Sequence, residues 1–288
     1  LNEKTIPKFD INIVSKNAMF KYAELPKSVK NIDIDTKISN STGSINDTKI
    51  NINKLSFTLD KDVFNASGKI YNVEKNPTVN LTTKGVINLA NISKAYPIKL
   101  DKNMSGILNA NVTTSFDMNS VEKGNYEQIK NNGTLSLNKF TYSGSEFAKD
   151  FIINNTLVSF TPNKIELKAF DAKTGDSDLN IKGSLDNFYG FLFKKQELQG
   201  NFKLNSSLLK VSDFMTTSID SKETTTPTTN TSVKIPAFLN CSFTANATKV
   251  IYDNLTLSNV SGSMVIQNEA VKLKDLKMGL FGGNIGMN

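Results

Sequence analysis

Apolar and polar residues alternate along nearly the whole chain, and that period of two leaves little choice of fold. Leu135 and Leu137, then Phe140 and Tyr142, alternate with polar residues in GTLSLNKFTYSG. DLNIKGSL carries Leu179, Ile181 and Leu185, and NFKLNSSL carries Phe202, Leu204 and Leu208. Such a pattern builds strands with one wet and one dry face. TLVSFTPNKIELKAF predicts a hairpin turning at Pro162–Asn163, and GSMVIQNEAVKLKDLKM predicts one turning at Asn268–Glu269. The chain holds on the order of sixteen such strands, and a sheet of that size must twist, curl or close.

Helical signal is scarce. Leu89–Tyr96 and Val211–Thr217 predict short helices, and Ser145–Asp150 one further turn. No amphipathic segment is long enough for a βαβ unit. The stretch from Met215 to Val233 has eight threonines and almost no apolar content, so it reads as a flexible loop inserted between two strands. The expected class is therefore mainly β: an elongated, strongly twisted and curled antiparallel sheet, groove-like or open-barrel-like, with two or three short helices.

The sheet also repeats. FNASGKIYN (Phe64–Asn72) resembles LNIKGSLDN (Leu179–Asn187), with Gly68 matching Gly183. Each is preceded by an apolar strand, KLSFTL from Lys54 and KIELKAF from Lys164. Each is followed by a strand running into a helical candidate. VKLKDLKMGLFGGNIGMN begins a third copy. Gly68, Gly183 and Gly282–Gly283 are expected where the sheet curls.

Composition removes much chemistry. There is no His, no Trp and a single Cys, Cys241. No Ser-His-Asp triad, Cys-His pair or His-based zinc site can form within the chain, and one thiol cannot make a Cys-only zinc site. DAKTGDSD (Asp171–Asp178) resembles a calcium loop, but Lys173 and Lys182 stand where ligands would be needed. Asp33 and Asp35 read as outward acids on a strand, not a catalytic dyad. GGNIG lacks the Lys-Ser/Thr of a phosphate-binding loop. The net charge of +7 is spread out, which does not suggest a nucleic-acid partner. No apolar run is long enough for a transmembrane helix. The chain starts at Leu1 without a signal peptide, as expected of an excised soluble piece or mature fragment.

The order of motifs in the last third resembles the C-terminal region of the AsmA family. NFKLNSSLLKVSDFM leads into a polar loop. IPAFLNCSF restarts the strands, VIYDNLTLSNVSG forms a hairpin at Val250–Gly262, and LFGGNI closes at Leu280–Ile285. The likeness is best over residues 200–288; residues 1–199 look like weaker β-repeats of the same style, and one continuous sheet is expected. The resemblance, shared with TamB-like relatives, implies a periplasmic protein anchored in the inner membrane through a segment outside this chain. It implies phospholipid transport or outer-membrane assembly, no catalytic residues and no cofactor. Acyl chains would lie in an apolar β-groove, and other envelope proteins would be partners. The inward candidates are Leu179, Ile181, Leu185, Phe202, Leu204, Leu208, Phe243, Leu255, Leu257, Met264, Ile266, Val271 and Leu273. The alternative is a structural or adhesive envelope protein in which these side chains fill a closed core.

Overall fold

A computed structural model describes residues 5–95, 105–125, 128–143, 147–161, 164–219 and 229–287. The protein is mainly β, with fifteen strands in one sheet and a separate two-stranded ribbon. The chain divides into two compact units, residues 1–137 with 158–164, and residues 138–157 with 165–288. The stylistic boundary at 199/200 falls inside the second unit.

The first unit holds β1 (Phe9–Phe20), β2 (Val29–Asn40), β3 (Lys49–Leu59), β4 (Asp62–Tyr71), β5 (Thr78–Asn88) and β6 (Ser105–Asp117). Each pairs antiparallel with the next. Two short helices, α1 (Leu89–Ala95) and α2 (Met118–Lys123), follow β5 and β6. The helix expected at Leu89–Tyr96 is α1. The α2 helix was missed, although its ends are marked in sequence. Asp117 caps the start by accepting from the Ser120 amide at 3.0 Å, and Gly124 closes the end with φ 77°. The next strands, β7 (Lys130–Tyr142) and β8 (Phe151–Thr161), straddle the division.

The second unit continues with β9 (Lys164–Thr174), β10 (Ser177–Leu185), α3 (Phe188–Lys194) and β11 (Leu198–Lys210). A 3-10 turn at Val211–Phe214 leads to the ribbon, β12 (Met215–Ile219) and β13 (Thr229–Val233). The last strands are β14 (Leu239–Tyr252), β15 (Leu255–Gln267), β16 (Ala270–Leu280) and β17 (Gly283–Met287). Strand order follows the sequence from β1 to β11 and then from β14 to β17, so the sheet ends at β1 and β17 and is not closed.

Several sequence expectations need correction or completion. The helix expected over Val211–Thr217 is only the 3-10 turn at Val211–Phe214, and Met215–Thr217 belong to β12. The Thr-rich stretch is not a loop throughout: β12 pairs with β13 from Met215↔Val233 to Ile219↔Thr229. β-branched Thr favours extended backbone, and a two-stranded ribbon needs no buried face. The ribbon serves a crossover, because β14 runs parallel to β11, from Leu198↔Leu239 to Lys210↔Ile251. The sheet is therefore not wholly antiparallel. At Ser145–Asp150 the described residues form bends, not a helical turn, and α3 was not foreseen. The Asn268–Glu269 turn is as expected, with φ of 52° and 56° at its two residues, whereas the Pro162–Asn163 turn lies outside the described residues.

Slips in the alternation mark where the sheet bends. Apolar positions change parity from Ile13 to Ala18, from Val29 to Ile32, from Leu137 to Phe140, from Leu257 to Val260 and from Leu273 to Leu276. Inside each slip stands a non-glycine residue with positive φ: Asn17, Asn31, Lys139, Asn259 and Asp275. Strand register breaks at four of these places. One extra residue is inserted there, and a bulge of this kind returns the following side chains to the same face.

The strand glycines act differently. A Cβ on Gly68 would lie 2.1 Å from the Asn80 carbonyl oxygen, and one on Gly183 would lie 2.1 Å from the Asn201 carbonyl oxygen. Each glycine adjoins a register break with the preceding strand, so the two sequence repeats share one geometry. By contrast, Gly282, with φ 79°, sits with Phe281 in the tight turn between β16 and β17 and is not a point of curl. Gly68→Ala and Gly183→Ala should each destabilise the protein by about 2 kcal/mol through backbone overpacking. Gly286→Ala, whose Cβ would meet nothing within 4 Å, should be near neutral. Urea unfolding of the three variants provides the check.

Candidate functional site

The register of the second unit gathers most of the sequence candidates into three rows. Leu185, Gly200, Cys241, Ile266 and Val271 are successive partners across β10, β11, β14, β15 and β16. Gly183, Phe202, Phe243, Met264 and Leu273 form the next row, and Leu167 of β9 extends it. Ile181, Leu204, Ala245 and Gly262 form the third. Directly opposed side chains share a face, so the rows make one apolar field. The Phe202 and Phe243 rings lie 5.3 Å apart within it.

Four candidates stand outside the rows. Leu179 opposes Ala172, Leu208 opposes Lys249, Leu255 opposes Tyr252 and Leu257 opposes Val250. The last two lie beyond the slip at Asn259.

Cover over the field is uneven. Leu185, Phe202 and Leu204 are buried, and Cys241 is 2% exposed. Ile181, Phe243, Met264 and Ile266 are half-buried. Val271 and Leu273 are 39% and 56% exposed. The α3 helix packs against β11, and the rings of Phe191 and Phe238 meet at 5.5 Å. Along these rows cover is thus densest at β11 and thins toward Val271 and Leu273, while Met278 further along β16 is buried. The residues between the row positions are polar except Val265, which opposes Ser242 and Lys272. Lys182, Lys203, Thr244, Ser263 and Lys274 make a matching row on the other face.

The first unit repeats the arrangement, and the sequence candidates missed it. Ile11, Ile38, Ile50, Ile70, Val79 and Phe116 are successive partners across β1 to β6. Ile11 is 47% exposed and the other five are half-buried. Their signal is the same alternation, as in the odd positions Ile11 and Ile13 of FDINIV.

The polar clusters hold the frame. Asp213, 1% exposed, accepts from Lys149 Nζ at 2.6 Å, from the amides of Asp176 and Ser177 at 2.8 and 2.9 Å, and from Ser177 Oγ at 2.8 Å. Burial works to raise its pKa, but the bonds from Lys149, Ser177 and the Asp176 amide outweigh burial and hold it below 3.8. These bonds fasten the 3-10 turn after β11 to the β9–β10 turn. In that turn Gly175 has φ 56°, and a Cβ there would lie 2.3 Å from Asp213 Oδ1. Asp178 accepts from the amides of Ser207 and Leu208 at 3.0 and 2.8 Å, past the last regular pair of β10 and β11. The acids of the calcium-like stretch are thus engaged: Asp171 accepts from Asn180 at 2.6 Å and Asp176 from Lys210 at 3.0 Å. Asp33 receives the Asn17 amide at 2.9 Å and Lys54 Nζ at 2.6 Å, tying down the β1 bulge. Among the described residues, no group of three or more His, Cys, Asp or Glu is placed to hold a metal ion. Among them too, no helix is long and apolar enough to cross a membrane.

Comparison with known proteins returned no matching family model, no matching characterised protein and no matching solved structure.

Removing the Asp213 carboxylate strands the buried amide and hydroxyl of Ser177 and the part-buried Asp176 amide. Asp213→Ala should therefore cost about 3 kcal/mol. Its folded pKa lies below the unfolded value, so its stabilisation is complete above about pH 4 and is lost as pH falls through the folded value. Denaturant titrations from neutral pH down to roughly pH 2 should show the acid loss blunted in Asp213→Asn. Burial pushes the Cys241 thiol up to about 11, and it donates to the Leu198 carbonyl at 3.1 Å. Its alkylation at neutral pH should be roughly a hundredfold slower than that of a free thiol, and fast after unfolding.

Proposed function

We propose that the protein is an acyl-chain-holding β-module of AsmA type, serving phospholipid transport or outer-membrane assembly in the periplasm. In this reading it is anchored to the inner membrane by a segment outside the chain. The carrying observation is the apolar field of the second unit, which is continuous across β10, β11, β14, β15 and β16 but only part covered. A field of half-open Leu, Ile, Phe and Met side chains matches the needs of a hydrocarbon tail, which asks for contact and no hydrogen bonds. The row in the first unit offers a second surface of the same chemistry.

The mechanism is partition without catalysis. Each methylene removed from water contributes about 0.8 kcal/mol, so a dozen would offset the entropy of holding a chain still. The polar opposite face, with Lys182, Lys203 and Lys274, stays in water. The uncovered end at Val271 and Leu273 is where a tail would enter, since nothing needs to move there first.

Phospholipid extracted from protein purified from bacterial cells, and measured by mass spectrometry, tests the reading. The expected result is near-stoichiometric lipid. Val271→Asp and Leu273→Asp should cut it several-fold while the protein stays folded, because both side chains are exposed. Lys272→Asp, one residue away on the other face, should leave it unchanged. Lipid-free protein, or equal loss in all three variants, would refute acyl-chain binding at the rows and leave a role in protein interaction.

A further inference from the structure

The polar face of the second unit gathers lysines that are far apart in sequence. Three of its rows begin on β10 at Asn180, Lys182 and Ser184 and end on β16 at Lys277, Lys274 and Lys272. Across β10, β11, β14, β15 and β16 these rows hold fifteen positions. Five are lysine: Lys182, Lys203, Lys272, Lys274 and Lys277. None is Asp or Glu, and the other ten are Ser, Thr or Asn save Val265. All five lysines are exposed. Asp275 lies in the bulge between Lys274 and Lys277, outside the paired register.

Lysines elsewhere are neutralised by the fold. In the same unit Lys149 pairs with Asp213, Lys168 with Glu166 and Lys210 with Asp176. In the first unit Lys37 pairs with Asp10 and Lys54 with Asp33. The five lysines of the field have no ion-pair partner among the described residues. Lys182 even stands directly opposite Lys203, an arrangement that repels. The acids at the rim are engaged: Asp186 accepts from Asn201 at 3.0 Å and Asp171 from Asn180 at 2.6 Å. The face therefore keeps an excess of positive charge, and its complement is an anionic surface.

The kind of anion follows from the side chains. All 34 basic residues of the chain are lysine and none is arginine. Lysine offers a compact, hydrated charge without arginine's fixed fork, so the field attracts negative charge without reading its geometry. The fifteen positions hold no aromatic side chain on which nucleic-acid bases would stack. The interleaved Ser, Thr and Asn side chains can donate to phosphate oxygens. A fluid layer of lipid phosphates asks for no more, because its headgroups rearrange to meet the charges. We propose that the polar face of the second unit docks on an anionic phospholipid bilayer, with Lys182, Lys203, Lys272, Lys274 and Lys277 at the headgroups. The lysines stay hydrated there, and the apolar rows on the opposite face turn away from that bilayer. The docking does not depend on what those rows carry.

Co-sedimentation of the 288-residue chain with sucrose-loaded vesicles tests the proposal. The chain should bind vesicles of phosphatidylcholine with about one third phosphatidylglycerol and should ignore pure phosphatidylcholine. Most of the binding should be lost between roughly 0.1 and 0.5 M salt. Lys203→Ser should weaken it about fivefold, and Lys203→Ser with Lys272→Ser and Lys274→Ser about a hundredfold. Lys203→Ser should at the same time leave the urea midpoint unchanged or higher, because it removes the repulsion with Lys182. Lys249→Ser, opposite Leu208 on the face of the apolar rows, should bind as the parent does. Acyl-chain uptake by the rows would show as binding to neutral vesicles too, so the two readings fail separately. No binding to the anionic vesicles, equal binding to neutral ones, or binding that salt does not weaken overturns the proposal. So does a Lys249→Ser loss as large as that of Lys203→Ser, or a preference for single-stranded RNA over the vesicles at equal salt.

Discussion

Continuity of one dry face across a sheet that must bend is the constraint on which this structure depends. The backbone satisfies its hydrogen bonds strand to strand, so the sheet can grow without a packed second layer at every point. Growth brings twist, and twist distorts a flat ladder. The distortion is absorbed at the bulges, where Asn17, Asn31, Lys139, Asn259 or Asp275 takes positive φ. Asn and Asp suit these places because they visit that region at modest cost. Each inserted residue would turn the remaining side chains to the wrong face if the apolar pattern did not slip with it, and it does.

The same constraint explains the sparse core. Thirteen apolar residues are buried among those described, several of them alanines or lying near β11. The rest of the apolar set is half-covered and arranged in rows. Full burial is scattered along the sheet, from Leu59 and Ala66 to Phe202, Leu204 and Met278. Asp213 is costly to bury and is retained because four donors meet it, fastening a turn on which the parallel return of β14 depends. The open rows follow from the same economy: a single layer leaves part of its apolar face to be covered from outside.

Alternation determined the mainly β class and the turn at Asn268–Glu269, three- and four-residue spacing pointed to α1, and the internal repeat paired Gly68 with Gly183. Alternation also placed Ile181, Phe202, Phe243, Met264 and Leu273 on candidate strands, because a period of two reports a face directly. The slips in parity carried the bulges too, for a reader who took an interruption as information. What only the tertiary structure decided is which strands lie side by side. The parallel return of β14 onto β11, the joining of separate alternations into rows, and the loss of cover from Phe202 to Leu273 all depend on contacts distant in sequence. A period of two says that a side chain faces inward, but what stands opposite it is settled by register, and register is set by turns and crossovers that composition does not encode.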